Sequence, residues 1–237
     1  MESGFKNIRI EFILPLFAGV VFSIFLCVLI GSAFGYFEKP EVTEDIIEIT
    51  YYDDRNLFFS SSEKISDPIL EYFRNPEFQE WVIVFFTGIC SNREIAQAIL
   101  VNSDRYDVPP ALAFALCWEE SRFNPRAINR GNRDGSVDRG LFQLNSSSFP
   151  NLEISVFYDI EQNARNGIGY IRQCLDSGGS VVSALAMYNA GAGRVRSTGA
   201  PHVTLNYVNR ILDNRIKIES RFHSRLIHEE ERRLIGE

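Results

Sequence analysis

An uncharged stretch of 26 residues near the N-terminus, Phe12–Phe37, constrains this chain more than any other sequence feature. As a helix rising about 1.5 Å per residue it would extend about 39 Å, which is more than the hydrocarbon core of a bilayer requires. Lys6 and Arg9 precede it, and acidic residues follow it. The positive-inside rule therefore predicts one transmembrane helix, with a short cytoplasmic N-terminus and the rest of the chain on the far side.

Two interpretations of this segment stay open. Its length favours an uncleaved signal anchor over residues 1–37, because the apolar core of a cleaved signal peptide is usually shorter. The small-x-small tripeptide Ala33-Phe34-Gly35 would suit a cleaved signal peptide instead. Cys27 follows the bulky Leu26, which disfavours lipidation, so we interpret Cys27 as an apolar residue within the membrane.

Composition divides the remainder of the chain into a linker and a folded domain. Residues 38–67 carry nine acidic and three basic residues, and we interpret residues 38–66 as an acidic linker. Residues 67–237 form the predicted globular domain. The net charge of the whole chain is −7, which argues against nucleic acid as a partner because nucleic-acid binders are usually basic.

Helix signals dominate the predicted domain. Apolar periodicity and capping residues predict helices at Pro76–Cys90, 91–106, Ala111–Ser121, 160–176, 180–190 and 203–233. The segment 132–136 has the composition of a tight hairpin turn, and Gly191-Ala192-Gly193 is interpreted as a helix stop. A packing stripe on the last helix is formed by Tyr207, Ile211, Phe222 and Leu226. The predicted fold class is therefore mainly α, with a small β-hairpin.

Outside the apolar segment the chain has three cysteines, Cys90, Cys117 and Cys174. An odd number cannot form a complete intramolecular set of disulfides. We favour buried free thiols, with one disulfide among the three as the alternative. No spacing of cysteine and histidine suggests zinc, and the polar residues around Gly135 lack the final glutamate of a calcium loop. We therefore expect neither a metal nor a cofactor.

A carboxyl side chain stands near the end of a strongly apolar helix. In Ala111–Ser121, three- and four-residue spacing places Glu120 on one face with Leu116 and Cys117. A carboxyl group on such a face is desolvated, which raises its pKa and keeps it protonated near neutral pH. Such a group suits the general acid that cleaves a glycosidic bond. Periodicity alone does not separate Glu120 from Glu119.

Four motifs follow one another along the chain. They are Glu120-Ser121 with Phe123-Asn124-Pro125, Gly140-Leu141-Phe142-Gln143-Leu144, Ala186-Met187-Tyr188-Asn189-Ala190-Gly191, and Thr204 with Tyr207-Val208. Together they resemble the soluble lytic transglycosylase (SLT) domain family over about residues 88–215. The resemblance implies a lysozyme-like domain that acts on the MurNAc–GlcNAc backbone of peptidoglycan.

The same resemblance implies roles by position. Glu120 falls on the single catalytic acid/base of the family, which protonates the leaving oxygen and then deprotonates the muramoyl C6 hydroxyl to close a 1,6-anhydro ring. Ser121 would orient the carboxyl group or the substrate. The other substrate-binding positions implied by the family are Gln143, Tyr188, Asn189 and Tyr207.

A second resemblance concerns residues 132–145, which are similar to the β-hairpin and following helix start of animal c-type lysozymes. On this match Asp138 takes the place of the second catalytic carboxylate, 18 residues after Glu120. A retaining hydrolase is chemically feasible where two such carboxyl groups lie about 5 Å apart. Catalytic assistance, substrate contact and a hydrogen bond within the hairpin all stay open for Asp138.

The sequence therefore predicts a membrane-anchored peptidoglycan lytic transglycosylase on the periplasmic or cell-wall side of the bacterial inner membrane. Its partners would be peptidoglycan glycan strands, the membrane, and a cell-envelope machine whose identity the sequence does not give. A hydrolytic muramidase that uses Glu120 and Asp138 is the first alternative. A glycan-binding or scaffold module without turnover is the second.

Overall fold

The computed structural model describes residues 67–235, so the predicted anchor (residues 1–37) and linker (residues 38–66) lie outside the described residues. Within this part of the chain, no helix combines the length and the apolar character needed to cross a membrane. The helices and strands are, in chain order, α1 (Pro68–Arg74), α2 (Gln79–Cys90), α3 (Arg93–Tyr106), α4 (Pro110–Ser121), β1 (Ile128–Asn129), β2 (Asp138–Arg139), β3 (Leu144–Asn145), α5 (Ile154–Tyr158), α6 (Ile160–Gly178), α7 (Val181–Ala190), α8 (Ala192–Thr198) and α9 (His202–Leu234).

Helix α4 forms the middle of the core. It is buried on every side from Pro110 to Cys117, whereas the spacing of its apolar residues predicts only one buried face. Helices α1, α3 and α9 pack against it, and the stacked rings of Phe86 and Phe114 lie 4.2 Å apart between their centroids. The last turn of α4 therefore leaves the core with Glu119 and Glu120 at its boundary.

The predicted and observed helix boundaries agree within three residues. The largest difference is at α2, which begins at Gln79 rather than at Pro76, because Asn75 accepts a hydrogen bond from the backbone N–H of Glu77 (3.0 Å) and holds a turn there. Three short helices, α1, α5 and α8, were not predicted. The predicted stop at residues 191–193 is wrong in part, since Gly191 ends α7 with a φ of 84° and α8 begins at the next residue.

The β element is a three-stranded antiparallel sheet in the order β1-β2-β3. The predicted hairpin is present as β1 and β2, and a third strand that was not predicted adds to it. Asn129 is paired with Asp138, and Asp138 with Asn145. Strands of two residues contribute few backbone hydrogen bonds, so side chains must hold this sheet together.

The long helix α9 connects two parts of the domain. Its first half packs on α4 and α7 through residues that include Tyr207 and Ile211. Its second half returns to α2, where the ring of Phe222 lies 5.2 Å from that of Trp81 and 5.1 Å from that of Phe85. All four residues of the predicted packing stripe are buried, which confirms that prediction.

The three cysteines outside the apolar segment are free and buried. This confirms the favoured interpretation of Cys90, Cys117 and Cys174 as core residues and not as a disulfide pair. Burial raises the pKa of all three thiols, that of Cys174 to about 11. They therefore stay protonated at neutral pH and behave as small apolar side chains.

Candidate active site

Glu120 lies in the last turn of α4, where its side chain is partly buried at the edge of the core. Its pKa is raised to about 8, chiefly by burial, with contributions of the same sign from the negative charges of Asp138 and Glu119. A hydrogen bond from Tyr207 acts in the opposite direction. At neutral pH the carboxyl group is therefore mostly protonated and can donate a proton, as its apolar helix led us to expect.

The neighbouring Glu119 has a different environment. Its side chain is 8% exposed, and Oε1 accepts hydrogen bonds from Nε (2.8 Å) and Nη2 (2.6 Å) of Arg210 on α9. The guanidinium group of Arg122 lies 3.6 Å from Oε2. No cation within residues 67–235 pairs with Glu120 in this way. The structure thus separates the two carboxyl groups: Glu119 joins α4 to α9, and Glu120 keeps its proton.

Two tyrosines reach the site from different helices. Tyr207 on α9 donates its O–H to Oε1 of Glu120, and Tyr188 on α7 donates its O–H to the backbone carbonyl of Phe142 (2.8 Å). Burial and the charge of Glu120 raise the pKa of both phenols. Both groups therefore stay hydrogen-bond donors across the pH range in which Glu120 titrates.

The predicted residues Asn189 and Ser121 form contacts within the fold. Asn189 Oδ1 accepts a hydrogen bond from the hydroxyl of Thr204 (2.8 Å), which ties the end of α7 to the start of α9. The buried Ser121 donates its hydroxyl to the carbonyl of Cys117 (3.3 Å), one turn earlier in α4. Ser121 therefore contacts its own helix, whereas the carboxyl group of Glu120 is bonded by Tyr207.

Asp138 on β2 is held by three side-chain amides. Its Oδ2 accepts hydrogen bonds from Asn129 and Asn132, both at 2.9 Å, and its Oδ1 accepts one from Asn145 at 2.7 Å. These bonds connect β1, β2 and β3 through one carboxylate, in keeping with the structural role that the sequence left open. The charge of Asp138 also reaches Glu120, where it helps to raise the pKa.

A tight turn at residues 140–143 carries Gln143. Gly140 has a φ of 79°, and a Cβ at this position would lie 2.1 Å from the carbonyl oxygen of Phe157. Glycine is therefore required here both by the backbone conformation and by the close approach of another segment. Gln143 also has a positive φ of 44°, and its Nε2 donates to the carbonyl of Gly140 (2.9 Å).

Sequence reasoning missed Asn163, which holds this turn in place. Asn163 is 1% exposed on α6. Its Oδ1 accepts from the backbone N–H of Phe142 (2.8 Å), and its Nδ2 donates to the carbonyls of Arg139 (3.1 Å) and Phe157 (2.8 Å). The signal was a polar residue on an otherwise apolar helix face, four residues before the buried Gly167.

The assembled groups suit proton transfer. One carboxyl group is mostly protonated, a phenol donates to it, and a second carboxylate lies within electrostatic reach. Among residues 67–235, no group of three or more His, Cys, Asp or Glu side chains is arranged to hold a metal ion. The chemistry that these side chains can carry out themselves is general acid–base catalysis.

Comparison with known proteins gives one family model and several relatives that match this part of the chain. Residues 97–209 match the family model described as the transglycosylase SLT domain. A transglycosylase of Enterobacteria phage PRD1 is 30% identical over 118 residues, which cover 50% of this chain and 42% of the phage protein. The chain therefore spans less than half the length of that relative. The invasion protein IagB of Salmonella typhimurium is 26% identical over 144 residues, which cover 58% of this chain and 86% of IagB.

A mainly helical domain with a small antiparallel sheet, and with one protonated carboxyl group at the end of a buried helix, fits the lysozyme-like class. Residues 97–209 of the chain are thus similar to the transglycosylase SLT domain family. The motif order predicted this family, and the matched range contains every predicted site residue. Arg210, which pairs with Glu119, lies one residue beyond that range.

Proposed function

We propose that this chain is a peptidoglycan lytic transglycosylase that cleaves the MurNAc–GlcNAc β-1,4 bond and leaves a 1,6-anhydromuramyl end. The carboxyl group of Glu120 carries the proposal, because its burial and its pKa of about 8 suit a general acid at neutral pH. The match of residues 97–209 to the SLT domain family supports the substrate class. Gln143, Tyr188, Asn189 and Tyr207 are the proposed glycan contacts.

In the proposed reaction Glu120 first donates its proton to the glycosidic oxygen as the bond from that oxygen to C1 of the muramoyl residue breaks. GlcNAc then leaves as a neutral alcohol. The carboxylate of Glu120 next takes the proton of the muramoyl C6 hydroxyl while the C6 oxygen bonds to C1. Glu120 ends protonated and no water is consumed. The hydrogen bond from Tyr207 stabilises the carboxylate between the two steps.

One observation favours a hydrolytic muramidase as the second candidate, namely the electrostatic effect of Asp138 on Glu120. Asp138 would then stabilise positive charge on the sugar while water attacks C1. The three amides that hold Asp138 weigh against a nucleophilic role, because they already occupy both of its oxygens. The occupied oxygens of Asp138 therefore favour the transglycosylase over the hydrolytic muramidase.

Mass spectrometry of muropeptides released from purified peptidoglycan by the full chain tests the proposal, with Glu120→Gln as the matched variant. We expect anhydromuramyl ends from the wild type and none from the variant. Reducing muramyl ends would instead make the chain a hydrolase that uses Asp138. Intact peptidoglycan after treatment with either protein, with binding retained, would leave a glycan-binding module.

We also propose that residues 1–37 anchor the chain in the bacterial inner membrane, with the domain on the periplasmic side. The uncharged run Phe12–Phe37 and the charges on either side of it support this topology. Anchoring would confine cleavage to wall close to the membrane, which suits local remodelling for a cell-envelope machine. Protease added to spheroplasts should digest the domain. Digestion only after the membrane is disrupted would contradict this topology.

A further inference from the structure

Glu119 and Arg210 form an ion pair that joins two helices beside the proposed proton donor, and we call it the interhelix ion pair. Glu119 directly precedes Glu120 in the last turn of α4, and its side chain is only 8% exposed. Arg210 lies on α9, three residues after Tyr207. Its Nε and Nη2 both donate to Oε1 of Glu119 (2.8 and 2.6 Å). The ion pair therefore connects the helix turn that carries Glu120 to the helix turn that carries Tyr207.

The surroundings of this ion pair are not those that favour stability most. Oε2 of Glu119 is buried and accepts no hydrogen bond within residues 67–235, and Nη1 of Arg122 approaches it only to 3.6 Å. A buried carboxylate oxygen without a hydrogen bond lowers the stability of a fold. Apolar side chains of similar volume often join two helices at least as firmly as a buried ion pair does. A role in stability alone therefore does not account for the pair.

Apolar packing joins the same two helices but leaves their relative position less well defined. Tyr207 and Ile211 are buried where α9 packs on α4. The hydrophobic effect is non-directional, so a small rotation or shift of α9 changes the buried area little. The two hydrogen bonds from one guanidinium group have a fixed geometry. Since Arg210 and Tyr207 share a face of α9 by their three-residue spacing, the bonds to Glu119 determine where the Tyr207 hydroxyl meets Glu120.

We propose that Arg210 and Glu119 are positioning residues, whose ion pair keeps the hydroxyl group of Tyr207 against the carboxyl group of Glu120. Neither residue transfers a proton, and both act through Tyr207. The inference rests on the proposed function for its effect on turnover, whereas the contact itself can be measured without turnover. A misplacement of about 1 Å at a reacting group is enough to slow a reaction strongly. Loss of the ion pair should therefore lower kcat while the protein stays folded.

The test removes the ion pair without leaving one buried charge unpaired. The pair variant carries Glu119→Gln and Arg210→Gln together in the full chain. The matched control carries Arg215→Gln and Glu219→Gln, which remove an ion pair (2.7 Å) that lies within α9. Each of these proteins loses one acidic and one basic residue, so the net charge stays at −7. Thermal unfolding verifies that both are folded at the temperature of the assay.

We expect the pair variant to lower kcat about tenfold, while kcat of the control stays within about twofold of the wild type. In the background of Tyr207→Phe, loss of the interhelix ion pair should lower kcat by less than about twofold, because the hydroxyl group that the pair positions is already absent. A loss of equal size with and without the Tyr207 hydroxyl would overturn the inference. An equal loss in the control, or no loss in the pair variant, would also overturn it.

A spectroscopic measurement separates this inference from the proposed function. In the full chain labelled with ¹³C at the tyrosine ζ carbons, the Tyr207 resonance is the one absent from Tyr207→Phe. This resonance should shift as Glu120 titrates near its pKa of about 8. The shift should persist in the control and be lost in the pair variant. If the wild type shows this pattern but releases no product, the proposed function fails and the positioning role stands. An unchanged shift in the pair variant would overturn the positioning role whatever the catalytic result.

Discussion

The two carboxyl groups of the site, Glu120 and Asp138, differ in the contacts that surround them. Glu120 lies in the last turn of a buried helix and accepts a hydrogen bond from Tyr207. Asp138 lies in a thin sheet, where three amides donate to its two oxygens. Burial without sufficient donors raises the pKa of Glu120 and favours its neutral form, whereas both oxygens of Asp138 accept hydrogen bonds from amides. The surroundings of the two side chains thus distinguish the proposed proton donor from the carboxylate that joins the three strands.

The largest expected effect is that of Glu120→Gln on turnover. The amide cannot donate the proton to the leaving oxygen, so release of muropeptides should fall by about a thousandfold. Glu119→Gln is the control, since it alters the adjacent carboxyl group, and it should cost far less than Glu120→Gln. If Glu119→Gln abolished turnover and Glu120→Gln did not, the assignment would be reversed.

A smaller effect is expected from Tyr207→Phe, which removes the donor to Glu120. The hydrogen bond lowers the pKa of Glu120, so its loss should move the alkaline limb of the pH–rate profile to higher pH. Turnover should fall about 10- to 100-fold, because the carboxylate formed after the first step loses a charged hydrogen bond. Tyr188→Phe, which removes a bond to a backbone carbonyl instead, should leave the alkaline limb where it is. A shift of equal size in both variants would contradict this account.

The comparison also predicts how stability depends on pH. The pKa of Glu120 in the folded protein, about 8, lies above its ordinary value of 4.5. Its protonated form therefore stabilises the fold fully below pH 4.5, and this contribution is lost as the pH rises through about 8. The free energy of unfolding of Glu120→Gln, minus that of the wild type, should therefore be higher at about pH 9 than at about pH 5 by about 2 kcal/mol or more. Urea unfolding measures this, and parallel stability curves for the two proteins would contradict it.

The smallest effect on turnover is expected from Asp138→Asn. Asparagine has one acceptor oxygen, so at least one amide donor loses its partner and the free energy of unfolding should fall by about 1–3 kcal/mol. Turnover should fall less than about tenfold, since Asp138 affects Glu120 only through its charge. Asp134→Asn, in the same hairpin, controls for the loss of one negative charge. A loss of turnover as large as that of Glu120→Gln, without loss of stability, would make Asp138 a catalytic carboxylate.

Local patterns predicted much of the fold. The apolar helix that ends at Ser121 and the turn around Gly135 both depend on nearby residues, and both are present where the sequence placed them. The short helices α1, α5 and α8 were missed because their few residues carry too little periodicity to be recognised. The third strand, β3, was missed because two residues are too few to show the alternation of apolar and polar side chains that marks a strand. Its pairing with β2 is a tertiary contact that the local sequence does not reveal.

The site was predictable only where a motif identified it. Glu120 could not be separated from Glu119 by spacing, because the separation depends on Arg210, which lies 91 residues further along the chain and reaches only Glu119. The amides that hold Asp138 come from both neighbouring strands and the turn. The sequence could therefore name a hydrogen-bonding role within the hairpin as one of three alternatives, but it could not select that role over the other two. Asn163 was recognisable only as a polar residue on an apolar face, and its three backbone contacts come from the tertiary fold.

The most direct test is the titration of the Glu120 carboxyl group itself. In the full chain labelled with ¹³C at the glutamate carboxyl carbons, NMR spectra across about pH 4–10 follow the ionisation of each glutamate. The pKa of each glutamate can then be compared with its ordinary value. We predict one glutamate resonance that titrates near the pKa of about 8 and is absent from Glu120→Gln. A Glu120 resonance that titrates near the ordinary value of 4.5 would mean that the carboxyl group is ionised at neutral pH. That result would contradict its role as the proton donor.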